Sequence, residues 1–321
     1  MNRIYLQDDL PPSIATAVKT WSDRPDAQDS GSDTVYVVVD GAILGAEGMQ
    51  RMHAAYGVAV QAFEATALAD YEDLGLLLWP WRALHDGDAL ETLRTVMAGK
   101  PGVSFVRSKA ALPTLCTTLA WLAAAQTQDG IPLYLRIGDT RVLSTLLLHV
   151  RPAQEVRLHD VIRAWAWPDR SGRLHSVTTE AMPAAHSAAS TLVLDDAQYA
   201  VLFDAAEADM LHAGMRDVEA GWRDRRSGAQ LHQWLRDLLK KMQALGIKQQ
   251  KDQWAFVSLA LRAPDGFEAL PELGETWLRV RSGAAQLPEE IARWTDLQWT
   301  ALERLAKSIR GTASAPPKGS I

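Results

Sequence analysis

VYVVVDGAILGAEGMQRMHAAY, Val35–Tyr56, is the stretch from which the fold is read. Val35 to Val39 is an apolar run of strand length, and Met49, Met52 and Tyr56 follow it at helical spacing. The same pairing recurs downstream. Leu76 to Trp79 is a second apolar run, and Leu90, Leu93 and Met97 mark a short helix. Val103 to Val106 is a third run, and Leu112, Leu115, Cys116, Leu119 and Leu122 form an amphipathic helix. Leu133 to Ile137 reads as the next strand, with Val142, Leu143, Leu146 and Leu147 on one face of the helix after it. Strands alternating with helices predict an α/β lobe built on a mostly parallel sheet.

Upstream of Val35, residues 22–34 (SDRPDAQDSGSDT) are polar and turn-rich, so the organised fold is expected to begin near Val35. At the other end of the lobe, Arg163 to Trp167 and Leu174 to Val177 flank PDRSGR, whose Ser-Gly reads as a hairpin turn adding an antiparallel edge. Residues 178–190 are small and polar, and beyond them the pattern turns wholly helical. We therefore expect an α/β lobe over residues 1–182, an all-α lobe over 190–310, and a disordered tail over 311–321. Asp195 and Gln198 have capping-box spacing. Leu231, Trp234, Leu235, Leu238, Leu239, Met242 and Leu245 make the clearest helical stripe. Pro288, Glu289 and Glu290 look like the first turn of one last long helix that buries Ile291, Trp294, Leu302 and Leu305.

Composition narrows the function classes. The chain has 321 residues, a formal charge of -6 and 47% hydrophobic residues, an ordinary globular balance. A net negative chain is a poor general coat for nucleic acid, which needs clustered Lys and Arg. MNRIYLQDDLPP lacks the apolar run of a signal peptide, and no segment approaches the roughly 18 apolar residues of a membrane span, so a cytoplasmic protein without a membrane partner is expected. The single Cys116 fits a reducing compartment. Twelve Trp against five Phe is unusual, and large indoles serve both cores and protein interfaces.

No constellation for catalysis stands out, and the expectation is a protein that is not an enzyme, with no cofactor and no metal. Gly41, Gly45 and Gly48 are spaced G-xxx-G-xx-G, which lacks the tight Gly-x-Gly of a dinucleotide site and reads as a turn with close helix packing. His85-Asp86 and His159-Asp160 suggest metal-dependent hydrolysis only if several ligands converge. Cys116 shares the apolar stripe of Leu112 and Leu119 and reads as core filler. An α/β hydrolase or nucleotide-dependent enzyme is the alternative that these features leave open.

Two features carry binding instead. Arg223, Arg225, Arg226, Arg236, Lys240, Lys241, Lys248 and Lys251 form the one basic run, read as a solvated helix face, a site for an acidic protein, or, last, a nucleic-acid site. Trp79 with Trp81, and Trp165 with Trp167, alternate so that each pair faces one way if extended, either into a core or as exposed anchors. Trp234 and Trp254 join the basic run in the helical half.

VYVVVDGAIL, LLLWPW, VSFVRSKAALPTL, LYLRIGDTRVL and AWAWPD, in that order over residues 35–177, resemble a bacterial family defined by a domain of unknown function and found in type VI secretion effector chaperones, also called adaptors. A looser likeness extends through LGIKQQKDQWAFVSLAL. The family's most recognisable segment is matched by Arg136, Asp139, Arg141, Val142 and Leu143, while Gly138 and Thr140 stand where an aromatic residue and a proline are usual. The resemblance implies a protein that binds a toxic secreted effector and helps load it onto the valine-glycine repeat (VgrG-type) spike, without covalent chemistry. Within the segment, Asp139 is placed to accept amide hydrogen bonds at the start of a helix, with Arg136 or Arg141 as its ionic partner. The partner-binding candidates are thus Trp79, Trp81, Trp165, Trp167, Trp234, Trp254, Arg236, Lys240 and Lys241.

Overall fold

The run at Val35–Val39 forms β1 (Thr34–Asp40), near the middle of a six-stranded sheet. The sheet order is β2 (Val60–Gln61), β3 (Leu76–Pro80), β1, β4 (Val103–Ser108), β7 (Ile162–Pro168), β8 (Leu174–Thr178). The computed structural model describes residues 4–23, 33–70, 75–81, 87–178, 190–218 and 225–313. Two compact units are present, residues 3–207 with 226–229 and residues 208–225 with 230–321.

Every neighbouring pair in the six-stranded sheet is antiparallel, which corrects the mostly parallel sheet expected from the alternation of strands and helices. The reason lies in the connections. After β1 the helix α2 (Gly41–Tyr56) leads away, yet the chain returns to the end it left, where the Gly41 N–H donates to the Gly75 carbonyl at 3.0 Å. β3 therefore starts beside the end of β1 and runs against it, pairing Asp40 with Leu76. β3 and β4 do run the same way across α3 (Gly87–Val96), but β1 lies between them in the opposite sense, a split β-α-β unit. A strand-helix-strand pattern in sequence does not reveal that another strand is inserted. Among the described strands the parallel pairing is β5 (Ala124–Thr127) with β9 (Leu192–Leu194), in a second sheet ordered β6 (Pro132–Tyr134), β5, β9.

Both faces of the large sheet are covered. β1 sends Val37 and Val39 into one apolar cluster and Tyr36 and Val38 into the other, as the period-two geometry of a strand requires. The first cluster is closed by α1 (Ile14–Ser22), α2 and α3, the second by α4 (Leu112–Ala123), α5 (Thr140–Leu148), α6 (Pro152–Val161) and the small sheet. Organised structure thus begins before Val35: Ile14, Val18 and Trp21, one face of α1, are buried against the sheet. The hairpin forms as expected, with Pro168 opposite Leu174 and Gly172 at φ 79° in its turn. There Asp169 accepts hydrogen bonds from the Ser171 hydroxyl and the Ser171 and Arg173 amides. Partial burial opposes ionisation of Asp169, but these bonds and His175 prevail and hold its carboxyl below the usual range.

The remainder is helical: α7 (Asp196–Val218), α8 (Gly228–Leu245), α9 (Gln250–Ala260), α10 (Gly274–Arg281), α11 (Leu287–Ala292) and α12 (Asp296–Ala313). The division between the two units falls inside α7, downstream of the 178–190 stretch. The capping box at its start is present, the Gln198 N–H donating to Asp195 Oδ1 and the Asp195 N–H to Gln198 Oε1. In the helical unit Leu231, Leu235, Leu238 and Met242 of α8 are buried, and Phe256, Phe267 and Trp277 pack ring to ring at 5.3 to 6.4 Å. The single last helix expected from Pro288 onward is two helices. The first ends at its C-cap Arg293, and Thr295 caps the second, its N–H and hydroxyl donating to Gln298 Oε1 and its hydroxyl oxygen accepting from the Leu297 N–H. Residues 311–313 belong to α12, and the rest of the expected tail lies outside the described residues. Among the described residues no helix is long and apolar enough to cross a membrane.

Candidate functional site

The RIGDTR segment, Arg136–Arg141, lies where ends of the central strands meet. The Asp40 N–H at the close of β1 donates to the Gly102 carbonyl before β4, and the Thr140 N–H donates to the Pro101 carbonyl at 2.7 Å. Asp139, extended at φ -75° and ψ 112°, is the N-cap of α5, its carboxylate accepting the Arg141 N–H at 3.0 Å. The Arg141 guanidinium grips the same carboxylate with two nitrogens, Nε to Oδ1 at 2.9 Å and Nη2 to Oδ2 at 2.6 Å, a planar fork on a planar acceptor. It also stands over the Tyr5 ring at 5.2 Å.

Arg136 takes a different partner. Its Nη2 donates to Asp40 Oδ1 at 2.8 Å, and the same oxygen accepts the Ile43 N–H at 2.9 Å, so Asp40 caps α2 while pairing with Arg136. Asp40 is 1% exposed. Burial pushes its carboxyl above the usual aspartate range, with Arg136 and the Ile43 amide pulling the other way and Asp139 adding to the rise. The Tyr134 hydroxyl is pushed up to about 12, by burial first and then by the Asp40 charge. Gly138 sits against this pair: a Cβ there would come 2.6 Å from Leu76 Cδ2 and 2.7 Å from Asp40 Cβ. Of the two arginines expected as ionic partners of Asp139, Arg141 pairs with it and Arg136 pairs with Asp40 instead. The sequence reading passes over Asp40 and Tyr5. The signal for Asp40 was local, an aspartate directly between an apolar strand and the first turn of a helix.

The paired tryptophans are core residues, the first of the two readings that their alternation leaves open, and they do not stand exposed as anchors. Trp79 and Trp165 are each 1% exposed, and Trp81 and Trp167 are each 5% exposed. Each pair does face one way, Trp79 and Trp81 into the cluster under α1 to α3 and Trp165 and Trp167 into the opposite one. The cause is the covering of both sheet faces, which leaves an alternating strand residue no route to solvent. Their polar ends are used internally, Trp79 Nε1 donating to the Gly57 carbonyl at 3.0 Å and Trp165 Nε1 to Ser104 Oγ at 3.1 Å.

The helical unit keeps its candidates nearer the surface. Trp234 and Trp254 are half-buried, and Arg236 and Lys240 lie exposed on α8. Lys240 reaches Asp237 at 3.4 Å and Lys241 is ion-paired with Glu268 at 2.6 Å, so part of the basic run is already neutralised locally. Trp254 packs on α7, where a Cβ on Gly214 would come 2.6 Å from its Nε1. Arg223 lies outside the described residues.

Residues 35–157 match the family described as Domain of unknown function (DUF4123). This stretch of the chain is similar to that family. The family is associated with effector adaptors of type VI secretion. No curated protein and no solved structure matches the chain. The DUF4123 match opens at β1 and stops inside α6, short of the 177 expected from the sequence, so the β7–β8 hairpin that completes the large sheet lies beyond it.

Within the matched stretch the glycines after β1 serve the backbone. Gly41 opens α2 with its Cβ position 3.0 Å from the Gly75 carbonyl, Gly45 breaks the helix at φ 74°, and Gly48 faces Leu44. Cys116 is buried in the core under α4, and burial pushes its thiol up, away from the thiolate that a nucleophile needs. His159 lies in the last turn of α6, its pKa lowered by burial and by Lys109 and Arg163 against the opposing Asp160, while His85 and Asp86 lie outside the described residues. Among the described residues no group of three or more His, Cys, Asp or Glu could hold a metal ion.

Proposed function

We propose that the protein is a cytoplasmic effector chaperone, or adaptor, of type VI secretion. It binds a cognate toxic effector, helps bring it to a VgrG-type spike, and catalyses no reaction. The DUF4123 match over residues 35–157 carries this reading. The use of Arg136, Asp139 and Arg141 supports it, since all three are committed to an internal junction and so belong to a rigid platform. The half-buried Trp234 and Trp254 and the exposed Arg236 and Lys240 offer the helical unit an aromatic and basic surface suited to an acidic protein segment.

The test is co-purification of the intact chain with the effector and spike proteins encoded beside its gene. Retention of the effector through size exclusion, with spike association that depends on this chain, is the expected result. An intact chain that holds neither protein would sink the proposal.

A further inference from the structure

α7 carries an apolar seam on its outer side. Tyr199, Phe203, Ala206, Met210 and Ala213 follow one another at spacings of 4, 3, 4 and 3, and all five are exposed. That spacing sets them in one line along the helix for about 20 Å. Tyr199, Phe203 and Met210 are 48, 55 and 43% exposed, whereas Gln198, Ala208, Leu211 and Met215, on the opposite side of the helix, are buried. The seam is therefore a second apolar face, distinct from the one with which α7 packs. Single exposed apolar residues are ordinary on a protein surface, but an unbroken line of them at coiled-coil spacing is not. The start of the seam is held in place. Gln198 Nε2 donates to the His149 carbonyl at 2.7 Å and to Gln154 Oε1 at 2.9 Å, and Leu202 packs against the core under α4 to α6.

The charge beside the seam is negative. Between Asp196 and Met215 the helix has no Lys or Arg. Asp204 and Glu207 stand three apart along one flank, where like charges repel, and among the described residues neither is ion-paired. The Glu207 carboxyl is pushed above its usual range, by burial first and then by Asp204. A cation beside the two acids would relieve both, so the complement is an element with an apolar line and a basic flank. A second copy of α7 would set acid against acid, and an anionic lipid surface would be repelled. The basic α8 keeps Leu231, Leu235, Leu238 and Met242 buried and has no apolar line to offer from another copy. We propose that α7 seats a basic amphipathic helix of a partner polypeptide, its aliphatic line packing on Tyr199, Phe203 and Met210 and its Lys or Arg side chains meeting Asp204 and Glu207. The inference rests on the binding role proposed above and names the element of the partner that one surface takes.

The test titrates the intact protein with a three-heptad peptide that has leucine at both seam positions and lysine flanking them. Its controls are the same peptide with flanking glutamate and a shuffled lysine peptide without the seam. Calorimetry gives the affinity and circular dichroism the gain in helix. The lysine peptide should bind with a Kd near or below about 100 µM, more weakly as salt rises, and both controls at least about tenfold more weakly. Phe203→Ser with Tyr199→Ser should weaken the lysine peptide about tenfold with Tm unchanged, since both side chains are exposed. Asp204→Lys with Glu207→Lys should reverse the preference, so that the glutamate peptide binds the better of the two. No binding of the lysine peptide at about 1 mM, equal binding of all three peptides, or wild-type affinity in the Ser variant would overturn the proposal. So would a lysine preference that survives the charge reversal. Self-association of wild type that Phe203→Ser abolishes would overturn it in favour of a second copy, and anionic-vesicle binding lost in the same variant would overturn it in favour of a membrane. An effector retained equally by wild type and the Ser variant sinks the seam but not the adaptor reading. Peptide binding as expected with no effector retained by wild type sinks the adaptor reading alone.

Discussion

Arg136 Nη2 donates to Asp40 Oδ1 at 2.8 Å across 96 positions of sequence, tying the loop before α5 to the end of the central strand. Removing the cation leaves a carboxylate buried beside Asp139, so Arg136→Met should destabilise the α/β unit by about 3 kcal/mol. Asp40→Asn in the same chain removes the stranded charge while keeping an oxygen for the Ile43 amide. The double variant should therefore be more stable than Arg136→Met alone. Urea unfolding of the three variants checks this, and a double variant less stable than Arg136→Met would show that the pair does not act as described.

Gly138 is confined by neighbours rather than by its backbone. Its Cβ position lies under 3.0 Å from Leu76 and Asp40 side chains, and its φ is not positive. Gly138→Ala should cost about 2 kcal/mol through overpacking. Gly45 is the converse, at φ 74° with nothing within 4 Å, so Gly45→Ala should cost about 1 kcal/mol through backbone strain alone. Denaturant midpoints should rank Gly138→Ala as the less stable of the two.

What the sequence discloses depends on the range over which each signal acts. The Asp195–Gln198 capping box, the α8 stripe and the turn at Gly172 are local patterns, and each forms as read. The buried face of α1 and the Thr295–Gln298 cap were equally local, at spacings of 4 and 3 from Ile14 to Val18 to Trp21 and of 3 from Thr295 to Gln298. Strand direction is not local. It depends on how often the chain crosses the sheet between β1 and β3, and hydrophobic periodicity carries no record of that. Burial of Trp79, Trp81, Trp165 and Trp167 is likewise decided by helices from distant segments covering both faces. The stacking of Arg157 on Trp121 joins residues 36 apart, so neither attracts notice in sequence.

Arg236 and Lys240 are exposed on α8, and the Lys240 contact with Asp237 at 3.4 Å is a surface pair of small energetic weight. Arg236→Glu with Lys240→Glu should leave stability within about 0.5 kcal/mol of wild type. If the basic surface receives an acidic segment, the same double variant should release the effector several-fold faster, and the wild-type complex should weaken as salt rises. Surface-plasmon dissociation rates at low and high ionic strength give the measurement; unchanged rates at both would remove α8 from the partner surface.

His212 on α7 is 4% exposed, and its pKa is lowered to about 4, by burial first and then by Arg216, with Asp209 opposing. An unfolded histidine titrates near 6.5, so between pH 6.5 and about 4 the unfolded chain binds a proton that the folded one refuses. Stability must then fall as pH falls through that window, by up to about 3 kcal/mol from this group, and be unaffected by it above pH 7. His212→Gln abolishes the titration at a cost in packing that does not vary with pH. The difference in unfolding free energy between wild type and His212→Gln should accordingly shrink from pH 7.5 to pH 4.5, and parallel pH profiles for the two proteins would show that His212 is not held neutral in the fold.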